Sequence, residues 1–452
     1  MGSDHSHSAR PAPPRVRRIL VAMVVPLFVA TVVAALVLWP RDGAPSNGGG
    51  TDVPRHHGTV TRVVTEPCPP SASPEGTPAS GPCGTVDVLV EDGPGAGRQV
   101  STPIPAGPGA PRVEVGDEII LVKLTDPTDP AASTWNIAEH QRGTPLVWLV
   151  VVFAAAIVAF GRWRGLAALA GLAASFAILL TFVLPAIGAG RSPLLVAVVG
   201  AALIMFVVLY LTHGVTAQTS VAVLGTLGSL VLTGVLATIA TAATQLTGFG
   251  SEDATTLSMF QADVDLRGLL LAGIIIGSLG VLDDVTVTQA ATVTELANAN
   301  PGLSRLQLYR AATRVGRAHI ASTVNTIVLA YAGASLPLLL LLTADTRPIG
   351  QILTSEFLAQ EIVRSAVATL GLIAAVPLTT GLAAVVTAAG STGTSDADAP
   401  PPRPRTDRAE ALAALSSPPA GRADGSDPQR NAPPSTATTG WPEPNRSTDT
   451  AW

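Results

Sequence analysis

Long apolar runs separated by short polar stretches dominate the chain. Runs long enough to cross a bilayer, which takes about 20 residues, occupy 19–39, 144–160, 166–187, 193–211, 216–240, 268–288, 320–342 and 362–387. The pattern predicts a polytopic α-helical membrane protein of about eight transmembrane helices. The second run is short. The first follows Arg10, Arg15, Arg17 and Arg18 as a signal peptide would, but it exceeds the usual signal core and lacks an Ala-x-Ala site before Pro40, so an uncleaved anchor is expected.

Between the first two runs, 40–143 is polar and reads differently. Segments 59–64, 84–90, 99–103 and 118–124 alternate or cluster β-branched residues, with turns at 93–97 and at Gly116 and Asp117. A small β-barrel-like domain of the OB kind fits. It offers no aromatic platform and no basic face, so no nucleic-acid partner is expected. The expected division is therefore 1–18 disordered N-terminus, 19–39 first helix, 40–143 β-rich domain, 144–387 seven-helix membrane domain, and 388–452 disordered tail.

Charge sets the orientation. Only 13% of residues are charged, against about 25% in an ordinary soluble domain. With the N-terminus inside, cytoplasmic segments hold Arg10, Arg15, Arg17, Arg18, Arg162, Arg164, Arg305, Arg310, Arg314 and Arg317, while the facing loops hold mostly acids. Both termini are then cytoplasmic, the β-rich domain is outside, and the bilayer is a bacterial plasma membrane. Arginine is used almost to the exclusion of lysine, and Ala, Gly and Pro abound, pointing to a GC-rich genome of actinobacterial type. The one lysine, Lys123, follows Val122, where a Walker A loop requires glycine.

Candidate chemistry is confined to a few positions. The only cysteines, Cys68 and Cys83, form an even pair in an oxidising compartment and read as a disulfide. Closing a loop of about 15 residues contributes roughly 3 kcal/mol in the chain-entropy model. His56 and His57 fall in a stretch expected to be flexible, and neither they nor His5 and His7 receive a metal role. Asp283 and Asp284 lie inside the sixth run, about 22 Å from its outer end at 1.5 Å per residue, where ionisable groups by default suggest function. Thr286, Thr288, Gln289, Arg317, His319, Thr323, Asn325, His213, Thr216 and Gln218 fall near the same level. Asp284 shares a face with Thr288 and Glu295 and is the preferred candidate. Two readings stand: a proton, cation or substrate site, or an Asp–Arg or Asp–Asn lock between helices. Gly273, Gly277 and Gly280 favour close helix packing under either.

Ser304 and Gln307 have capping-box spacing and open a basic amphipathic segment. Leu308, Ala312 and Val315 form its apolar stripe, and Arg310, Arg314 and Arg317 its basic one, suited to anionic lipid or to a partner. On the outer side, Glu356, Glu361 and Arg364 read as exposed pairing. No catalytic motif and no metal or cofactor site is expected.

The run 265–285 (DLRGLLLAGIIIGSLGVLDDV), the segments TEL at 294–296 and NPGLSR at 300–305, the run 317–337 (RAHIASTVNTIVLAYAGASLP) and the patch SEFLAQEIVR at 355–364 resemble the YibE/F-like membrane protein family. The resemblance covers about 55–387. Ala318 stands where the family pattern has an acid. It implies a polytopic plasma-membrane protein and no particular activity. The leading expectation is a transporter or permease-like membrane subunit for a small solute or ion, with homo-oligomer or membrane partners. The alternative is a non-enzymatic envelope scaffold or regulator.

Overall fold

A computed structural model describes residues 13–41, 54–66, 83–104, 112–124, 134–261, 264–343 and 347–391. The expectations on Cys68, on His5 and His7, and on the tail beyond residue 391 lie outside the described residues.

Helix α1 (Pro14–Leu38) starts with proline at its first position, where a missing N–H costs nothing. Five antiparallel strands follow: β1 (Arg55–Glu66), β2 (Cys83–Val90), β3 (Gln99–Pro103), β4 (Glu118–Leu124) and β5 (Thr134–His140). Their order is β3-β2-β1-β4-β5. Alternation puts Val60, Val86, Val88, Ile119 and Leu121 on one buried face, each contributing about 1.5–3 kcal/mol. The ladder leaves β3 and β5 as edges among the described residues, and the Thr102 hydroxyl donates to the Trp135 carbonyl across them at 2.7 Å. His56 and His57 are not in a flexible stretch. Both are paired in the β1–β4 ladder, His56 opposite Leu121 and His57 opposite Ile120.

The rest is helical. Helix α2 (Gly143–Ile178) passes through a π turn (Leu179–Val183) into α3 (Leu184–Gly188). This run of 46 residues holds the second and third expected segments. Arg162 breaks it with φ 51° and ψ −128°. A side chain at Gly165 would collide with the Ile157 carbonyl, although residues eight apart in an unbroken helix lie about 12 Å apart along the axis. The chain therefore doubles back at Arg162.

Then come α4 (Pro193–His213), α5 (Ala217–Ala243), α6 (Glu252–Phe260), α7 (Leu266–Ala299), α8 (Arg305–Ala334), α9 (Leu336–Thr343), α10 (Ile349–Leu353) and α11 (Glu356–Ser391). Side-chain caps start four of them: Thr216, Ser251, Asp265 and Ser304 each accept from a backbone N–H in the first turn. Ser304 and Gln307 form the expected capping box.

Six of these helical runs are long and apolar enough to cross a membrane: α1, α2 with α3, α4, α5, α7 and α11. The seventh expected segment, 320–342, is divided. Its first part continues the arginine-bearing α8, and Ser335 interrupts the helix before α9. Pro337 has no N–H to give the Gly333 carbonyl and its ring crowds that carbonyl, which accounts for a break at this place.

Helices α5, α7 and α11 pack against one another at the centre, with α4 and α8 outside them. Met205, Leu209, Leu230, Ile275, Leu282 and Val293 belong to one buried cluster, joined by Leu308 from α8. The stripe on α8 differs from expectation by one residue: Leu308, Ala312 and Gly316 are buried, whereas Val315 is exposed. A spacing of four keeps the contact where α8 lies nearly along its neighbour, and glycine permits the closer approach.

Candidate functional site

Small residues bring the three central helices together. A side chain on Gly225 of α5 would strike Thr379 of α11, one on Gly371 of α11 would strike Thr233 of α5, and one on Gly316 of α8 would strike Gln289 and Val376. In lipid such backbone approach, rather than the hydrophobic effect, drives helix association. The approach closes around hydroxyls. On α5, Thr226, Ser229 and Thr233 are all buried, and each donates to a carbonyl one turn back on its own helix. That self-pairing lets a hydroxyl enter an apolar bundle without an unsatisfied donor.

From this stripe a polar seam crosses the bundle. The Thr226 and Thr286 hydroxyls join α5 to α7 at 2.6 Å. Thr380 of α11 donates to Gln289 Oε1 of α7 at 2.9 Å. Thr226, Thr286, Gln289, Thr379 and Thr380 have no measurable exposure. The seam is not saturated: Gln289 Nε2, Thr379 Oγ1, Thr313 Oγ1 and Asp283 Oδ1 are buried atoms with no hydrogen-bond partner. Turning the Gln289 amide over only exchanges which end lacks one. Each such group in an apolar interior costs about 1–3 kcal/mol.

The two aspartates divide as residues about 100° apart on a helix must. Asp283 is half-buried beside the seam, and Asp284 is exposed, with 72% of its side chain accessible. His319 Nε2 on α8 stands 3.9 Å from Asp284 Oδ2. The preferred candidate is thus the outward member, while Asp283 belongs with Thr286 and Gln289. The second of the two readings, a lock to Arg317 or Asn325, has no contact behind it: both side chains are exposed, and neither takes a hydrogen bond or ion pair with an aspartate among the described residues. Thr288 is half-buried and its carbonyl accepts from Thr292 at 2.8 Å. His213 and Gln218 sit at the α4–α5 turn, where His213 Nδ1 is 2.7 Å from the Thr212 hydroxyl and Arg164 is within electrostatic reach. They are not brought to the aspartates.

At the start of α11 the expected pairing of Glu361 with Arg364 forms, but Glu356 takes other partners. Glu356 Oε1 accepts from the backbone N–H groups of Thr247 at 2.8 Å and Gly248 at 2.9 Å, from the Thr247 hydroxyl, and from Gln360 Nε2 at 3.2 Å. The start of α11 thereby holds the turn between α5 and α6. Gly248 has φ +93° and lies against the Leu266 carbonyl, a conformation and a space that glycine alone fits. Five residues on, Glu361 and Arg364 pair at 2.9 Å with only 22% and 29% of their side chains exposed. Tyr331 of α8 lies within electrostatic reach of both.

In the sheet, the Asp92 carboxylate faces two imidazoles: His57 Nδ1 at 2.7 Å and His56 Nδ1 at 3.3 Å. The His57 side-chain hydrogen bond, with its backbone N–H, holds the Asp92 carboxyl below its ordinary value. Among the described residues no group of three or more His, Cys, Asp or Glu is arranged to hold a metal.

Sequence reasoning missed Thr226, Thr233, Thr379 and Thr380 as well as Thr247 and Gln360. The signal for the first two existed, because 226, 229 and 233 repeat at helical spacing inside an apolar run. Nothing local marked the Glu356–Thr247 contact, which joins residues 109 apart.

Apolar helices packed through glycine, with ionisable and amide groups between them, define a polytopic helical membrane protein. The chain belongs to the YibE/F-like protein family, whose model matches residues 149–389. No curated protein and no solved structure matches the chain.

Proposed function

We propose that the chain is a transporter or permease-like membrane subunit for a small solute or ion, and that Asp283, Asp284 and His319 form the entrance to the seam. One observation carries the reading: buried polar atoms without partners, on Gln289 and Thr379, continue inward from an aspartate pair in a spanning helix. Groups of that kind are costly in a bilayer and mark solute or proton paths. The observation that favours the second reading, a non-enzymatic envelope scaffold, is the glycine-mediated closeness of the seam.

The topology that goes with the proposal has eight crossings: α1, the two legs of α2–α3 on either side of Arg162, α4, α5, α7, the second half of α8 with α9, and α11. Arginine distribution puts both termini in the cytoplasm and the sheet outside a bacterial plasma membrane. There Cys83, at the start of β2, is proposed to pair with Cys68. Alkylation of thiols followed by a non-reducing gel tests the pairing, with a labelled Cys68 as the opposing result.

Proteoliposomes loaded with a pH-sensitive dye test the transport reading. Under an imposed gradient the full chain is expected to pass protons, alone or with a co-solute. Asp283→Asn and Gln289→Leu should abolish the flux while the proteins remain folded. Absence of flux in the unsubstituted protein, or unchanged flux in both folded variants, gives the decision to the scaffold.

A further inference from the structure

Helix α8 has two faces of different character. Its inward face buries Gly316 and Ile327 and half-buries Ile320, Val324 and Tyr331 against α7 and α11. Its outward face exposes Ala318, Ala321, Ser322, Asn325 and Leu329. A hydroxyl there can be satisfied by its own helix, as when the Thr326 hydroxyl donates to the Ser322 carbonyl at 3.1 Å. Asn325 differs. Its amide carries two donors and an acceptor oxygen, too many for its own helix to satisfy, and it makes no side-chain hydrogen bond among the described residues. It stands eight residues beyond Arg317, about 12 Å along the helix, which in the proposed eight-crossing topology is near the middle of a hydrocarbon core about 30 Å thick. Lipid tails offer such an amide nothing.

We infer that this face of α8 docks against α8 of a second copy of this chain, with Asn325 hydrogen-bonded to Asn325 of the partner subunit across a two-fold axis. Three features select that occupant. A carboxamide is its own complement, because the N–H of one satisfies the C=O of the other, whereas a lone charge is not. A two-fold contact repeats one patch on both sides, so a residue on the axis meets itself. Ala318, Ala321 and Ser322 on the same face are small enough for the two backbones to approach, as spanning helices that associate through polar groups require. The inference rests on the second half of α8 lying in the bilayer and not on transport.

The test uses the full chain in isolated membranes. Asn325→Cys should give a disulfide-linked dimer on mild oxidation, whereas Ile327→Cys, on the buried face, and the unsubstituted chain should not. A membrane-impermeant maleimide should leave the Asn325→Cys thiol unlabelled. In detergent, Asn325→Leu should weaken self-association about tenfold, and Asn325→Gln should retain it. Equal crosslinking at 325 and 327 overturns the inference, as does unchanged self-association of Asn325→Leu. Labelling of the thiol from water also overturns it, since a solute groove then covers the face. Loss of flux with an intact dimer, or the reverse, separates this contact from the transport reading.

Discussion

At the scale of single residues, the membrane domain depends on positions where nothing larger than hydrogen fits. Gly316 is the most informative, because a side chain there meets the Gln289 amide and Val376 together. Gly316→Val should lower stability by about 1–3 kcal/mol, the usual cost of overpacking. It should also displace Gln289 from Thr380. The thermal midpoint in detergent reads the first effect, and an unchanged midpoint would show that the contact is loose. Such a residue is opaque in sequence, where glycine in a spanning helix reads only as packing. The same opacity affected the aspartates. Their depth followed from counting along the helix, but which one turns toward the seam depends on how α7 is rotated by α5, α8 and α11. Composition carries no record of that rotation, and Asp283 rather than Asp284 faces inward.

Among elements, long-range contacts decide what sequence left open. Apolar length was enough to find α1, α4, α5, α7 and α11, because a bilayer imposes a minimum span. It could not find the break at Ser335, where a proline two residues later acts on local geometry within a run that stays apolar. Nor could it find that the start of α11 holds the α5–α6 turn. In Glu356→Ala the N–H groups of Thr247 and Gly248 lose their shared acceptor, and hydrogen bonds to charged groups contribute about 1.5–3 kcal/mol. The turn should then open without global unfolding. Limited proteolysis of the protein in detergent should cut between Leu246 and Ser251 in the variant at a protease concentration that spares the unsubstituted chain. Glu356→Gln keeps an acceptor oxygen and should fall between the two. Equal resistance of all three would show that the turn is held by Gly248 against Leu266 instead.

For the whole molecule, the arginines and the helix directions make one combined prediction. Arg162 lies where the chain doubles back, Arg164 is near His213 at the α4–α5 turn, and Arg305 to Arg317 begin α8. Alternating helices carry these three groups to ends that face the same way, and α1 starts with Arg15, Arg17 and Arg18. The Glu356-held turn lies at the opposite ends of α5 and α11. Membranes select orientation by such basic asymmetry, so the proposed topology has the arginine ends inside. Ser304→Cys, at the cap of α8, should react with an impermeant thiol reagent only after the cells are opened, whereas Thr247→Cys should react in intact cells. The reverse pattern would invert every crossing at once and move the sheet to the cytoplasm. Labelling of both sites in intact cells would instead mean that the number of crossings between α5 and α8 is wrong. These two outcomes are distinct, because inversion preserves the opposition between the sites and a miscount removes it.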